Sequence, residues 1–494
     1  MTPYVLLIPL FIPIAFGFII RFLNIDGKKK EWANLSVVIL TSIITLLLVI
    51  FPPSGEAHIL QLHSRLQLYL SLDGIGRIFA GMVAILWPFA YLYVMGYMAH
   101  EDKKKNYSMF YVMTFAVVLG ISFSGNLLTM YFFYELLTFI TLPLIIYPMT
   151  KEAKRAGRYY LYISLFGSTL ALVGIIMLIH LANLGDFHNV FEFNALEGVV
   201  VRNNGRPLEI AYLLTFFGFG VKSAVFPLHG WLPRAGVAPT PTTALLHAVA
   251  VVKAGAFAII RVIYSVIGVE ALQGTSVQII SMLFASFTII FGSAMAMKQL
   301  HMKRRFAYST ISNISYILLA ATMMSKLGLY AAILHLLFHS FAKIAIFFIA
   351  GEMLEKADVT YIDQMDGFAK KMPITFACFI LAGLSIIGIP GFAGFISKYE
   401  IINAAFNVNT WYSIIGVVAL LISAMLTAAY VITIIIRAYF KKPNEYNIAN
   451  YNLACDVNYK FIVPIATFAT LSLLLGLFAN PLLQLVNNLL GGIM

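Results

Sequence analysis

Apolar residues in this chain run in blocks and do not alternate with polar ones. Fourteen blocks approach the roughly 20 residues that an α-helix needs to cross a bilayer: 3–22, 33–52, 76–97, 108–124, 127–149, 159–182, 211–229, 240–265, 276–297, 306–325, 328–351, 374–399, 411–436 and 461–486. Strands of a membrane barrel would alternate over about ten residues, and these blocks do not. The expected fold is all-α and polytopic, with about fourteen transmembrane helices. The longest polar interval, near 183–210, is too short to be a domain.

Composition places the chain in the membrane. Of its 494 residues, 61% are hydrophobic and 11% charged, and the mean hydropathy is +0.89; soluble domains carry about 25% charged residues. Cys378 and Cys455 form no CxxC pair, so no iron–sulfur, haem or zinc spacing is present. There is no GxxxxGK[ST] and no dinucleotide glycine run. No cofactor and no metal is therefore expected. Energy for uphill transport must come from an ion gradient or from partner subunits. Whether the chain serves an enzyme stays open, since it would be at most a non-catalytic subunit of an oxidoreductase.

The net charge of +12 would suit nucleic acid if it were clustered, but it is spread over the connecting loops. Loops after odd-numbered blocks hold 23 of the 33 Lys and Arg residues, and loops after even-numbered blocks hold six, among them Arg65, Arg202 and Arg261. Positive charge stays on the cytoplasmic side. The odd loops are thus expected inside and both termini outside, in the plasma membrane of a prokaryote. The first block lacks a basic lead-in and a small-residue cleavage site, so it reads as a retained helix and not a signal peptide.

Four lysines break the apolar pattern from within: Lys222, Lys253, Lys343 and Lys398, together with one carboxylate deep in a block, Glu135. A charge at the bilayer centre costs roughly 2.5–3.5 kcal/mol even on the mildest scale. If all five were ionised the interior would carry a net positive charge, so at least some lysines are expected to rest neutral, with Glu135 paired to one of them. His335, His339 and Lys343 recur every fourth residue, on one helix face about 6 Å apart. A water-linked proton relay fits this row best. Core histidines remain open, and a metal pair is disfavoured by the lysine cation. His247 and Lys253 share another block but fall on different faces of a regular helix, and His247 alone reads equally as a core residue or a relay member. A Na⁺ site would want clustered oxygens, and Glu135 supplies the only carboxylate deep in a block.

Two blocks are interrupted. Lys222-Ser-Ala-Val-Phe-Pro227 places a proline inside a helical run, and Gly388-Ile-Pro-Gly-Phe-Ala-Gly394 combines Gly388, Pro390, Gly391 and Gly394. Broken helices at membrane depth are tolerated where protein covers them or a wet cavity lies beside them. They mark ion sites in transporters built from inverted repeats. A lysine at each break weakens the alternative that the prolines merely kink packed helices.

At these residues the chain resembles the antiporter-like subunits shared by respiratory complex I, Mrp-type cation/proton antiporters and membrane-bound energy-converting hydrogenases. The resemblance runs over nearly the whole chain. It is carried by Tyr134-Glu135, Lys222-Ser-Ala-Val-Phe-Pro-Leu-His-Gly-Trp-Leu-Pro233, Ala244-Leu-Leu-His-Ala248, Val252-Lys-Ala-Gly255, Lys303-Arg-Arg-Phe-Ala-Tyr-Ser-Thr-Ile-Ser312, the row from His335 to Lys343, and Gly394-Phe-Ile-Ser-Lys398. It implies that Glu135 and Lys222 form a coupling pair and that Lys253, with His247, is a central relay. His335, His339 and Lys343 would link that relay to Lys398, the terminal site. It also implies two inverted five-helix repeats. The expected division is 1–107 (helices 1–3), 108–266 (first repeat), 267–437 (second repeat) and 438–494 (last helix).

Two departures stand out: Arg234-Ala-Gly follows Pro233 where the family usually has an acidic residue, and Pro241-Thr-Thr-Ala replaces a common Pro-Val-Ser-Ala. Lysine at 398 in place of glutamate, and an end soon after the last block, favour the short D-type member of Mrp antiporters and its close counterparts in the hydrogenases and complex I. The expected function is proton translocation as one subunit of a multisubunit membrane complex, with other membrane subunits and lipid as partners. The alternatives are a stand-alone secondary transporter of a small solute or of Na⁺, and a passive structural subunit.

Overall fold

The computed structural model describes residues 2–23, 26–63, 66–99, 104–183, 193, 205–443, 448–456 and 458–491. Arg65, Lys103, Arg202 and most of the polar interval near 183–210 lie outside the described residues. The helices follow in chain order as α1 (Ile8–Phe22), α2 (Gly27–Ile50), α3 (Gly74–Tyr97), α4 (Lys104–Ser122), α5 (Leu127–Ile145), α6 (Lys151–Asn183), α7 (Arg206–Gly220) and the short α8 (Trp231–Arg234). Then come α9 (Thr240–Ala244), α10 (Val251–Arg261), α11 (Ser276–Lys298), α12 (Met302–Thr322), α13 (Lys326–Ala357), α14 (Pro373–Ile387) and α15 (Ala393–Val408). The chain closes with α16 (Trp411–Phe440), α17 (Ile448–Leu453), α18 (Tyr459–Leu477) and α19 (Asn480–Leu489).

Every apolar block becomes helical, and the fold is all-α and polytopic. Ten helical segments among the described residues are long and apolar enough to cross a membrane by themselves. The expectation of fourteen exceeds that number. The difference lies in α4, α7, α12 and the α14–α15 pair, which are short, interrupted or, in α12, rich in Ser, Thr and Asn. The helices begin where sequence places caps: the side chains of Asn126 and Ser325 accept from the backbone N–H groups of Thr129 (2.8 Å) and Gly328 (3.0 Å).

Burial is graded from the centre outwards. The most apolar stretches of Thr240–Ile267 and of α13 are 100% buried, whereas those of Pro3–Phe22 and α18 are 33% buried. The outer helices turn Phe11, Phe18, Phe132, Phe166, Met425 and Phe440 outward. Lipid tails solvate such side chains, so the charged groups are driven to the middle of the helix bundle. Lys222, Lys253 and Lys343 are fully buried there.

One end is tied down by features that block counting does not register. A hairpin of β1 (Ala57–His63) and β2 (Leu66–Leu70) joins α2 to α3. It is stitched to the α4–α5 turn by Ser71 N–H to Phe123 O (2.8 Å) and Gly125 N–H to Tyr69 O (3.1 Å). Beside it, Asp73 caps α3 by accepting from Gly76 N–H (2.9 Å) and forms a two-pronged ion pair with Arg261. Arg261 was expected in an outside loop. It is instead wholly buried at the end of α10, under Phe193 and Phe257.

Removing Asp73 would strand a buried guanidinium. Asp73 is itself 46% exposed, so Asp73→Ala should lower the stability of the detergent-solubilised protein by about 1–2 kcal/mol, below the scale for breaking a fully buried pair. Thermal unfolding followed by tryptophan fluorescence would read this, and an unchanged midpoint would show that solvent already satisfies Arg261.

Candidate functional site

The centre of the site is built on α13, whose apolar sequence is buried on every side and which carries His335, His339 and Lys343. The chain from α9 to α10 crosses it with a π-helical turn at Leu245–Val249 and a distorted Ala250 (φ −99°, ψ −80°). This third interruption was not expected from the sequence, because no proline or glycine marks it. Beyond it, Lys253 Nζ lies 2.6 Å from His339 Nδ1. The rings of His339 and His335 stack at 5.8 Å between centroids, and His335 Nδ1 lies 2.9 Å from Ser397 Oγ. Neither Nε2 of the two histidines has a protein partner among the described residues.

Ser397 introduces Lys398, which sits on the second expected break. Lys398 Nζ donates to the carbonyls of Ile386 (2.7 Å) and Ile387 (2.8 Å). These are carbonyls that the end of α14 leaves without helical partners. Gly388 ends that helix at φ +90°, where a Cβ would lie 2.9 Å from Lys398 Cδ and 3.3 Å from its Nζ. Pro390 has no N–H to continue the ladder, and Gly391 is also left-handed (φ +91°). Gly394 N–H donates to Ser385 Oγ at 3.2 Å, and a side chain there would strike the Ser385 carbonyl. The amine, the glycines and the proline thus form one arrangement. The Tyr316 ring lies 5.3 Å from Lys398 Nζ and meets His335 edge-on.

The first expected break spans the turn from Val221 to Pro227, after α7. Trp231 Nε1–H donates to the freed Val221 carbonyl (2.7 Å), and Phe226 N–H donates to Thr288 Oγ1 (3.2 Å). Lys222 Nζ donates to the Tyr134 carbonyl and lies 3.5 Å from the centre of that residue's ring. The expected direct pairing with Glu135 is not made: no nitrogen–oxygen contact within 4.0 Å joins them, although the carboxylate's field reaches the amine. Glu135 Oε1 is buried without a hydrogen-bond partner among the described residues. Gly255 fits α10 against this turn, since a Cβ there would be 2.6 Å from Ser223 N and Oγ. Lys253, two residues earlier, lies on the opposite side of α10 from Gly255, where it meets His339 of α13.

Two expected members are placed differently. Lys343 does not reach towards Lys398; it donates to Ser309 Oγ (2.7 Å), which also accepts from Tyr430 Oη (2.6 Å). His247 makes no hydrogen bond with Lys253. It packs 4.6 Å from the Phe347 ring with both nitrogens unpartnered among the described residues.

Three further groups were not foreseen. Ser293, Ser312 and Ser423 form a buried hydroxyl cluster, with Ser312 2.9 Å from Ser423 and Tyr316 Oη donating to Ser423 at 2.6 Å. Its signal was present, since Ser309, Ser312 and Tyr316 recur at helical spacing on α12. Glu352, near the end of α13, is another buried carboxylate: it is 1% exposed and accepts from Thr375 Oγ1 (2.8 Å). Lys303 and Arg305, expected in a loop, are buried and donate to the carbonyls of Ala238 and Tyr430, both at 3.1 Å.

Gly388→Ala tests the packing of the Lys398 site. It should cost about 1–2 kcal/mol for the left-handed backbone, and more for the contact with Lys398. Gly274→Ala is the control, since Gly274 sits in the Leu272–Thr275 turn with φ +78° and nothing within 4 Å of its missing Cβ. Equal losses of thermal stability in the two variants would show that the lysine contact is immaterial.

Residues 124–454 match the family model described as NADH:quinone oxidoreductase/Mrp antiporter, TM. The NADH-quinone oxidoreductase subunit N of Desulforudis audaxviator is 30% identical over 364 residues, covering 74% of this chain and 70% of its own length. The Na(+)/H(+) antiporter subunit A1 of Staphylococcus haemolyticus is 29% identical, over 97% of this chain and 61% of that one. The chloroplast NAD(P)H-quinone oxidoreductase subunit 5 of Citrus sinensis is 30% identical, over 90% of this chain and 61% of that one. The chain thus spans less than two thirds of the length of two of these three relatives.

Among solved structures, a chain of the membrane-bound sulfane sulfur reductase, an archaeal respiratory complex, superposes with a TM-score of 0.84 at 23% identity, covering 99% of this chain and 97% of that one. A chain of the Mrp complex from Dietzia sp. superposes at 0.80 with 19% identity and the same coverage. These likenesses establish the fold. With two thirds of its length matching the family model, the chain belongs to the NADH:quinone oxidoreductase/Mrp antiporter transmembrane family.

Proposed function

We propose that this chain is the proton-translocating subunit of a multisubunit membrane complex. The observation that carries this reading is the direct contact between the Lys253 amine and the His339 imidazole at 2.6 Å, deep in the membrane and continued by His335 to Ser397 beside Lys398. A proton taken up at His339 Nδ1 is released from Nε2, a buried nitrogen with no protein partner among the described residues, which leaves it to a bridging water. His335 repeats the step towards Ser397 and Lys398. Glu135 and Lys222 form the entry to the file, ahead of Lys253 on α10: a change of charge at Lys222 is felt at Lys253 through the low-dielectric interior.

Amines and imidazoles are proton carriers. Na⁺ needs oxygen ligands and is repelled by ammonium groups, which favours protons as the cargo of this path. The repeats are assigned to 108–266 and 267–437, each holding one break with its lysine, Lys222 in the first and Lys398 in the second. The basic loops face the cytoplasm of a prokaryotic cell, with both termini outside. Energy for uphill movement comes from an ion gradient or from the partner subunits.

The test uses the intact complex in sealed vesicles with an internal pH dye. Lys253→Ala should lower proton flux on the order of a hundredfold, the scale of a lost positioned proton carrier, without changing subunit assembly. Lys253→Arg should fail as well, because a guanidinium keeps its charge but does not release its proton. Full flux in Lys253→Arg would mean that a fixed charge suffices, and would overturn the relay. Glu135→Gln should lose most of the flux while the complex still assembles. Flux should persist in Na⁺-free buffer, and its loss there would favour a Na⁺ path.

A further inference from the structure

At one membrane end, the start of α6, the α8 turn and the start of α12 enclose a cavity of about 440 Å³ lined by Glu152, Arg155, Tyr159, Arg234 and Arg304. All three arginines are exposed. The Arg234 guanidinium stacks 4.1 Å over the Tyr159 ring, which fixes its plane. Arg155 and Arg304 have no hydrogen bond or ion pair among the described residues. Three guanidinium groups therefore share a pocket with one carboxylate, and their forked donors suit the oxygens of a phosphate.

A second cavity continues along the same helix. It measures about 460 Å³ and is lined by apolar side chains, among them Phe166, Leu170, Leu213, Phe217 and Leu228. Tyr159 and Phe166 are seven residues apart, and Arg155 and Phe166 eleven; at 100° per residue both offsets return to within about 20° of one face. The apolar groove begins about 10 Å further along the helix axis than Tyr159, at 1.5 Å per residue. It lies at hydrocarbon depth between α6 and α7, and Leu228 follows the Pro227 break into it.

We propose that the two cavities form one binding site for an anionic phospholipid, with its phosphate held by Arg155, Arg234 and Arg304 and an acyl chain laid in the groove. An acidic peptide would satisfy the arginines but not the apolar groove between two spans. A zwitterionic lipid would fill the groove but leave the positive charge uncompensated. The site abuts the Lys222 break, so an occupying chain braces the turn that presents Lys222.

The test is native mass spectrometry of the delipidated full-length protein with added phosphatidylglycerol, phosphatidylcholine or glycerol 3-phosphate. Phosphatidylglycerol should be retained about 25-fold better than phosphatidylcholine, because each of two net positive charges at an anionic lipid contributes about a factor of five. Combined Arg155→Gln, Arg234→Gln and Arg304→Gln should abolish the preference, and these exposed positions leave the fold intact. Leu213→Trp, which fills the groove, should weaken retention of both lipids while the protein stays monodisperse. Lys370→Gln with Lys371→Gln should change nothing. Three results would overturn the site: equal retention of the two lipids, an undiminished preference in the triple variant, or glycerol 3-phosphate binding as tightly as phosphatidylglycerol with Leu213→Trp silent.

Discussion

An amine in hydrocarbon must find an oxygen or nitrogen partner, and in this protein that requirement shapes the backbone. A continuous helix keeps its carbonyls for itself. Lys398 is satisfied only because α14 stops and releases the carbonyls of Ile386 and Ile387. Lys253 instead takes an imidazole, and Lys343 takes a serine hydroxyl. The interrupted spans, the buried hydroxyls on α12 and the histidines of α13 are parts of one solution. It leaves the outer helices largely apolar and concentrates the buried amines in the middle of the bundle.

The same requirement explains what was legible in the sequence. Lysines inside apolar blocks cannot be neutral in meaning, so Lys222, Lys253, Lys343 and Lys398 stood out, as did the proline and glycines of the two breaks. The row His335, His339, Lys343 was readable as one face because α13 is regular. Its partners were not, since partner choice depends on which helix packs opposite. Lys343 found Ser309 on α12 and did not continue the row. His247 and Lys253, which a regular helix already puts on different faces, meet different neighbours, and the π-turn that carries His247 has no sequence punctuation. Arg261 and Glu352 sit near the ends of their spans, where position alone does not separate a solvated charge from a buried one. The β1–β2 hairpin was hidden because its short alternating strands fall in a gap between apolar blocks.

Membership of the family fixes the architecture, and the local chemistry narrows what this chain does within it. Its file is made of bases, with Glu135 near one end and no carboxylate among Lys253, His339, His335 and Lys398. Like-charged neighbours in a dry setting cannot all be protonated together. A proton on one amine therefore disfavours protonation of the next. On the outer side, α6 runs from an arginine-lined cavity to an apolar one that borders the Pro227 turn after Lys222.

The central claim is that protons move along a wetted line from Lys222 through Lys253, His339 and His335 to Lys398. The most direct measurement is an electron cryo-microscopy map of the intact complex in a lipid bilayer, at a resolution that shows ordered water. The relay predicts waters bonded to the free Nε2 atoms of His335 and His339 and bridging towards Lys398 and Lys222. Dry apolar packing against those nitrogens, with the amines reaching to headgroups or bulk solvent, would contradict it.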